Sequence, residues 1–348
     1  MEPLVKWNGG LERKVALIKS MMPGEFDRYY EPFLGGGAVY FQMEGRNCLV
    51  NDKCKELMTL YRFARRESPA FANQFKMMCT AWKKMEAHYM GVADDLADIT
   101  WRNRMGGYRE YMSFVKAVSE VVDRITYSDT FGHVIPDPED FKMEKRYQMI
   151  QEILRMEKLV DLDESDVVIN IQLALKHSIY SFLTEVLNKK RVDIEIRMAA
   201  LAFILNYSAD VPFRKDECGE YRLPFGGKPV CEKYLTEQVK MLGSEKQRKH
   251  FEKTVFSSTN ALDFLKKNNP CADDFILFDP PDEVKKGAGA LDFTPTAHKE
   301  LAKYLLTKCD AQWMLLVKPN VSTMRIFKKA PVSIVKIEGY DKYIIRNY

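Results

Sequence analysis

The chain has no CxxC pair, no GxGxxG turn, and no apolar run near the ~20 residues that a membrane span requires. Its seven cysteines, Cys48, Cys54, Cys79, Cys218, Cys231, Cys271 and Cys309, are scattered and odd in number. That spacing argues against a disulfide framework or a zinc cluster and fits a reducing cytoplasm. The five histidines are scattered too, so no metal site is expected. The absent GxGxxG sets aside a nicotinamide enzyme. The opening residues, Met1 to Lys6, have neither a basic start nor an apolar core, so no secretory leader is expected there.

What is present is ordinary for a globular protein. Hydrophobic residues make up 46% and charged residues 29% of 348, enough chain for one large or two ordinary domains. The net charge of +4 permits a polyanionic partner without requiring one. Lys83, Lys84, Arg102, Arg104 and Arg109 interleave with Trp82, Tyr89, Trp101 and Tyr108. An amphipathic helix with a solvated charged face is the first reading of that stretch. Phosphate contact with base stacking is the alternative.

Strand and helix signals alternate at both ends. Val15, Ile18 and Met22 have helical spacing and stop at Pro23-Gly24. Tyr29 to Phe33 and Cys48 to Val50 read as strands, Ala38 to Met43 as a helix start, and Lys55 to Arg65 as a helix. From about 66 to 205 long helical patterns dominate, over 67–91, 107–126, 139–160, 166–189 and 193–206. Strands then return at Thr254 to Ser258, Phe275 to Phe278 and Trp313 to Val317. A terminal antiparallel pair is expected from Val332 to Ile337 and Tyr343 to Arg346. Alternating strands and helices indicate an α/β sheet, interrupted in sequence by a helical block.

Two segments carry chemistry. Glu31-Pro32-Phe33-Leu34-Gly35-Gly36-Gly37 runs from a strand into a glycine turn. It is either a sharp connection or a place where backbone meets ligand. Asp52, following the second strand, suits a ribose hydroxyl. Asp279-Pro280-Pro281 follows an apolar strand. It is either a turn or a carboxylate and a proline carbonyl held together as two acceptors, which suit an exocyclic amine.

In this order the segments resemble the DNA adenine-N6 methyltransferases of the D12, Dam-like class, whose cofactor motifs precede the target-recognition region. Lys6-Trp7-Asn8-Gly9-Gly10 is similar to the family's opening KWxGGK, and Glu31 to Gly37 to its EPFxGxG. Gly219-Glu220-Tyr221-Arg222-Leu223-Pro224-Phe225-Gly226 resembles GEFNVPFG, and Ile344 to Tyr348 resembles the closing strand.

The resemblance implies a Rossmann-like, S-adenosylmethionine-dependent sheet with a large, mostly helical inserted domain. Residues 1–65 and 226–348 would form the catalytic domain, and 66–225 the target-recognition insertion. Lys6, Trp7, Gly9, Gly10, Glu31, Pro32, Phe33, Gly35, Gly37, Asp52 and Asp279 would line the cofactor site. Asp279, Pro280, Pro281 and Asp282 would form the catalytic segment, acting on an adenine flipped out of double-stranded DNA. Arg214, Lys215 and Arg222 would contact DNA. No metal takes part, and the setting would be the cytoplasm of a bacterial or phage-infected cell.

The pattern departs at Leu11, which replaces the last lysine of the opening motif, in 206–218, which lacks the family's usual Asn-Gly pair, and most consequentially after the two prolines. The family has an aromatic where this chain has Asp282. Three explanations stand at this point: a deletion that moved the next acidic residue up, another aromatic such as Phe293 or Phe213 stacking instead, or a chain that grips DNA without turnover.

Overall fold

Short runs of buried apolar side chains build the centre of a seven-stranded sheet. The structure is a computed structural model that describes residues 1–7, 11–125, 138–209, 213, 215–281, 293–318, 321–337, 339 and 341–348. The strands are β1 (Arg28–Glu31), β2 (Asn47–Asn51), β3 (Thr254–Ser257), β4 (Phe275–Phe278), β5 (Gln312–Val317), β6 (Ser333–Lys336) and β7 (Tyr343–Arg346). Their order is β3-β2-β1-β4-β5-β7-β6. β3, β2, β1, β4 and β5 pair in parallel, and β7 runs antiparallel to both β5 and β6. This is the Rossmann-like α/β sheet expected from the sequence.

Every residue of β4, Phe-Ile-Leu-Phe, is buried, as a strand covered on both faces must be. One core cluster joins Tyr30, Ile276, Phe278, Trp313, Leu315 and Ile345 to Phe264 and Leu301 from the helices beside the sheet. Each such side chain contributes about 1.5–3 kcal/mol by leaving water. Between β1 and β4 the strand order reverses, which opens a crevice at the carboxyl ends of those strands.

The chain divides into two compact units. The sheet unit contains Met1–Glu67 and Lys240–Tyr348, and the other contains Ser68–Val239. In the sheet unit a 3-10 turn over Glu12–Lys14 leads into helix α1 (Val15–Ser20), and α2 (Lys55–Arg65) follows β2. The expected helix start at Ala38 to Met43 is only a 3-10 turn, Tyr40–Gln42. Gly37 and Gly45, both at positive φ, bracket it.

The Ser68–Val239 unit is helical: α3 (Pro69–Met90), α4 (Ala93–Arg104), α5 (Tyr111–Val122), α6 (Pro138–Glu157), α7 (Glu164–Asn188) and α8 (Ile194–Tyr207). The Ala93–Arg104 helix falls between two of the expected ones and was not foreseen. α8 is buried on all sides from Met198 to Tyr207, and α7 packs against both α6 and α8. Trp82 is fully buried against Phe203 and Tyr207, so it is no part of an exposed stacking surface. Short helices α9 (Lys228–Cys231), α10 (Thr236–Met241) and α11 (Glu245–Glu252) lead back to β3, and α12 (Ala261–Asn268), α13 (Pro295–Thr307) and α14 (Val321–Phe327) complete the sheet unit.

All seven cysteines are free. Among the described residues no helix is long and apolar enough to cross a membrane. Among them, too, no group of three or more His, Cys, Asp or Glu is placed to hold a metal.

Candidate active site

The site is built at the carboxyl ends of β1, β2, β3 and β4. Leaving β1, the chain turns through Gly35 at φ +50° and Gly37 at φ +68°. A Cβ on Gly35 would lie 2.8 Å from Trp7 Cδ1, and one on Gly36 would lie 2.9 Å from the Val5 carbonyl. The glycines are therefore needed partly for the protein's own packing, because Trp7 lies across the turn. Lys6 beside it is half-buried. Gly9 and Gly10 lie outside the described residues.

Asp52 braces the turn. Its Oδ2 accepts from the Gly35 N–H at 2.9 Å, and its Oδ1 from the Cys54 N–H at 2.8 Å. Burial pushes its carboxyl up, against the pull of these two N–H groups. The Tyr61 hydroxyl donates to the Gly36 carbonyl at 3.0 Å from α2.

Asn51, fully buried, ties three strand ends together. Its Nδ2 donates to the carbonyls of Pro32 (3.0 Å) and Thr259 (3.1 Å), and its Oδ1 accepts from the Thr259 N–H (2.9 Å). Its own carbonyl accepts from the Leu34 N–H. The role of Thr259 was not foreseen, since no local signal marks a partner that far along the chain.

Glu31, at the end of β1, is 2% exposed and accepts from the Tyr29 hydroxyl at 2.7 Å. Burial pushes its carboxyl up to about 8, with Asp279 and Asp52 adding like-charge repulsion. Phe33 meets the Phe293 ring edge-on at 5.1 Å, and Phe293 also contacts His298.

Asp279 follows β4 directly. Its Oδ1 accepts from Lys342 Nζ at 2.6 Å, and the two side chains are 14% and 10% exposed. Pro280 is buried and Pro281 exposed. Asp282 lies outside the described residues. The structure thus brings Trp7, Glu31, Pro32, Phe33, Gly35, Gly37, Asp52 and Asp279 to neighbouring strand ends of one unit and adds Asn51, Thr259, Tyr61 and Lys342.

The expected DNA-contacting residues belong to the helical unit. There Lys215 pairs with Tyr221 in a short antiparallel bridge, and its ammonium lies 4.7 Å from that ring's centre. Arg222 is paired to Asp216 at 3.0 Å and to Glu220 at 2.9 Å. Phe213 is buried with its ring stacked on Tyr221. Arg214 lies outside the described residues.

Residues 7–122 match the family model of the D12 class N6 adenine-specific DNA methyltransferases. Over that stretch the chain is similar to that family. The matched stretch contains Trp7, the glycine turn and Asp52; Asp279 lies beyond it. The type II methyltransferase M1.LlaDCHI of Lactococcus lactis subsp. cremoris is 36% identical over 62 residues, 18% of this chain and 22% of that protein. The type II methyltransferase M.CviBI of Paramecium bursaria Chlorella virus NC1A is 34% identical over 64 residues, 18% of this chain and 25% of its own length. The type II methyltransferase M.MjaIII of Methanocaldococcus jannaschii is 26% identical over 109 residues, 27% of this chain and 38% of that protein. Each of these matches spans well under half of the relative's own length.

Proposed function

We propose that this D12-related chain is a DNA adenine-N6 methyltransferase that uses S-adenosylmethionine. The observation that carries the reading is the convergence of Glu31, Asp52 and Asp279 at adjoining strand ends, beside a glycine turn and at the sheet's switch point. Asp279 is paired with Lys342, Glu31 accepts from Tyr29, and Asp52 accepts from two backbone N–H groups. Such a site suits a ligand of net positive charge, and S-adenosylmethionine is one, with a sulfonium and an ammonium against a single carboxylate.

Trp7, Glu31, Phe33, Gly35 and Asp52 would hold the cofactor, with Lys6, Gly9, Gly10, Pro32 and Gly37 beside them. When bound, it supplies a methyl on a cationic sulfur that keeps the electron pair as the methyl leaves. Asp279 and the Pro280 carbonyl would accept the two N–H bonds of the target amine. Those bonds fix the amine plane and direct its lone pair to the methyl, which is catalysis by position and electrostatics. The amine sheds one proton once the N–C bond has formed, and Asp279, already accepting from that amine, would take it.

The partner would be double-stranded DNA with the adenine extruded, and the helical unit would read the sequence through Arg214, Lys215 and Arg222. The proposed place of action is the cytoplasm of a bacterial or phage-infected cell. The test is incubation with deuterated-methyl S-adenosylmethionine and unmethylated DNA, followed by nucleoside mass spectrometry. Deuterated N6-methyladenine supports the reading. Label in N4-methylcytosine, or none, refutes it.

Asp282 favours a second reading, DNA binding without turnover, because base–aromatic stacking worth about 1–3 kcal/mol is missing there. That reading requires DNA binding with no incorporation, restored by Asp282→Tyr.

A further inference from the structure

Lys342 belongs to none of the segments that point to the chemistry, yet its ammonium donates to the Asp279 carboxylate. The sheet register explains how it arrives there. Phe278 on β4 pairs with Leu315 on β5, so Asp279, one residue on, is level with Leu316. Leu316 pairs with Ile344 on antiparallel β7. Side chains alternate along a strand, so Ile344 and Lys342, two residues apart, point to the same face. Asp279 and Leu316 point to that face too. Because β7 runs against β5, its first residues lie at the carboxyl edge of the parallel strands. Lys342 is therefore delivered to the crevice from the opposite chain direction.

The neighbouring charges leave Lys342 to this task. Asp341, next in sequence, is taken by Lys318 at 3.1 Å on the exposed side. Lys342 itself is 8% exposed, too deep for a solvated lysine. Glu31, at the end of β1, lies close enough to Asp279 for the two carboxyls to repel each other. Without Lys342, a shielded carboxylate beside Glu31 would lose this cation, and a shielded charge is disfavoured unless it is paired.

We propose that Lys342 is a positioning residue for the Asp279 carboxylate, fixing its rotamer through Oδ1 and balancing its charge so that it meets the target amine as an acceptor. This rests on the methyltransferase reading. Lys342 does not touch the reacting atoms in this account; it acts through Asp279. The pair is the means by which a catalytic carboxylate is kept in one orientation beside the Glu31 carboxyl.

The experiment compares wild type, Lys342→Met, Lys342→Arg and Lys342→Cys in methyl transfer to DNA, with kcat, KM and the pH profile measured for each. The expected result for Lys342→Met is a fall in kcat of about a hundredfold, the scale of a 1 Å misplacement at a reacting centre. KM for S-adenosylmethionine should stay within about threefold, as expected when interactions specific to the transition state are lost. The acid limb of the kcat profile should move to higher pH, since the carboxylate has lost its cation. Aminoethylation of Lys342→Cys, which rebuilds a lysine-like ammonium, should recover activity, with treated wild type as control.

A Lys342→Met protein with unchanged kcat and an unmoved acid limb overturns the proposal. So does a loss that aminoethylation does not recover. If Lys342→Met fails to fold, Lys342→Arg carries the test: its fork keeps the charge but shifts the carboxylate, so undiminished kcat in that variant overturns the role. An inactive wild type overturns the methyltransferase reading and this role with it. An active wild type beside an unaffected Lys342→Met overturns this role alone.

Discussion

Replacing Glu31 by Gln should change how the stability of the fold responds to pH. The buried carboxyl is pushed up to about 8 in the folded chain, from 4.5 as the ordinary value. Below pH 4.5 it is protonated in both folded and unfolded states and carries no penalty. Between these limits the unfolded chain releases a proton that the folded chain keeps. Stability then falls by about 1.4 kcal/mol per pH unit. Above pH 8 the group is ionised in both states and the full penalty remains. The Glu31→Gln protein has no such slope. It does lose an acceptor, because the Tyr29 hydroxyl and the Tyr40 backbone both donate to the carboxyl. The variant should therefore be less stable at pH 5, by about 1–3 kcal/mol. From pH 5 to pH 8 the difference between the two proteins should move in favour of Glu31→Gln by on the order of 4 kcal/mol. Urea unfolding at pH 5, 6.5 and 8 measures it, and all groups common to both proteins cancel. A difference that stays constant across these three pH values would refute the reasoning.

Two further substitutions probe the frame of the site. Asn51→Ala removes the buried amide that joins Pro32 and Thr259, leaving both carbonyls without it. It should destabilise the sheet unit by on the order of 3 kcal/mol, seen as a lower urea midpoint. Gly35→Ala forces a residue with a side chain to φ +50° and sets its Cβ 2.8 Å from Trp7 Cδ1. It should cost more than the ~1–2 kcal/mol of the left-handed backbone alone, and Trp7→Ala should relieve the excess. An equal cost in both backgrounds would show that Trp7 is not the obstacle.

The parts of the fold legible in the sequence are those set by local pattern. Phe275–Phe278 is an uninterrupted apolar run, and it is a fully buried central strand. Lys55–Arg65 has a strong apolar stripe and is helical over those same residues. Local pattern misled where composition and burial diverge. Trp82 stands beside Lys83 and Lys84, yet a helix sends neighbouring residues to different faces, and the indole is in the core. The glycine turn was legible as a turn. That Trp7 would fill the space beside it was not, because that depends on how the first residues fold back.

The candidate site divides the same way. Glu31, the glycines, Asp52 and Asp279 announce themselves at strand ends. Their partners do not. Asn51 and Thr259 are 208 residues apart, and Asp279 and Lys342 are 63 apart. Neither Thr259 nor Lys342 sits in a motif, and only the strand order and register bring them in. Asp282 is the reverse case, plain in the sequence as a departure and outside the described residues.

The central claim is that Asp279 serves methyl transfer to adenine. The most direct measurement is tritium incorporation from methyl-labelled S-adenosylmethionine into unmethylated DNA, by the wild-type protein and by Asp279→Ala. Label in N6-methyladenine is expected with the wild type and none with the variant. Label that persists undiminished in Asp279→Ala, or a folded wild type that binds DNA and transfers nothing, would contradict it.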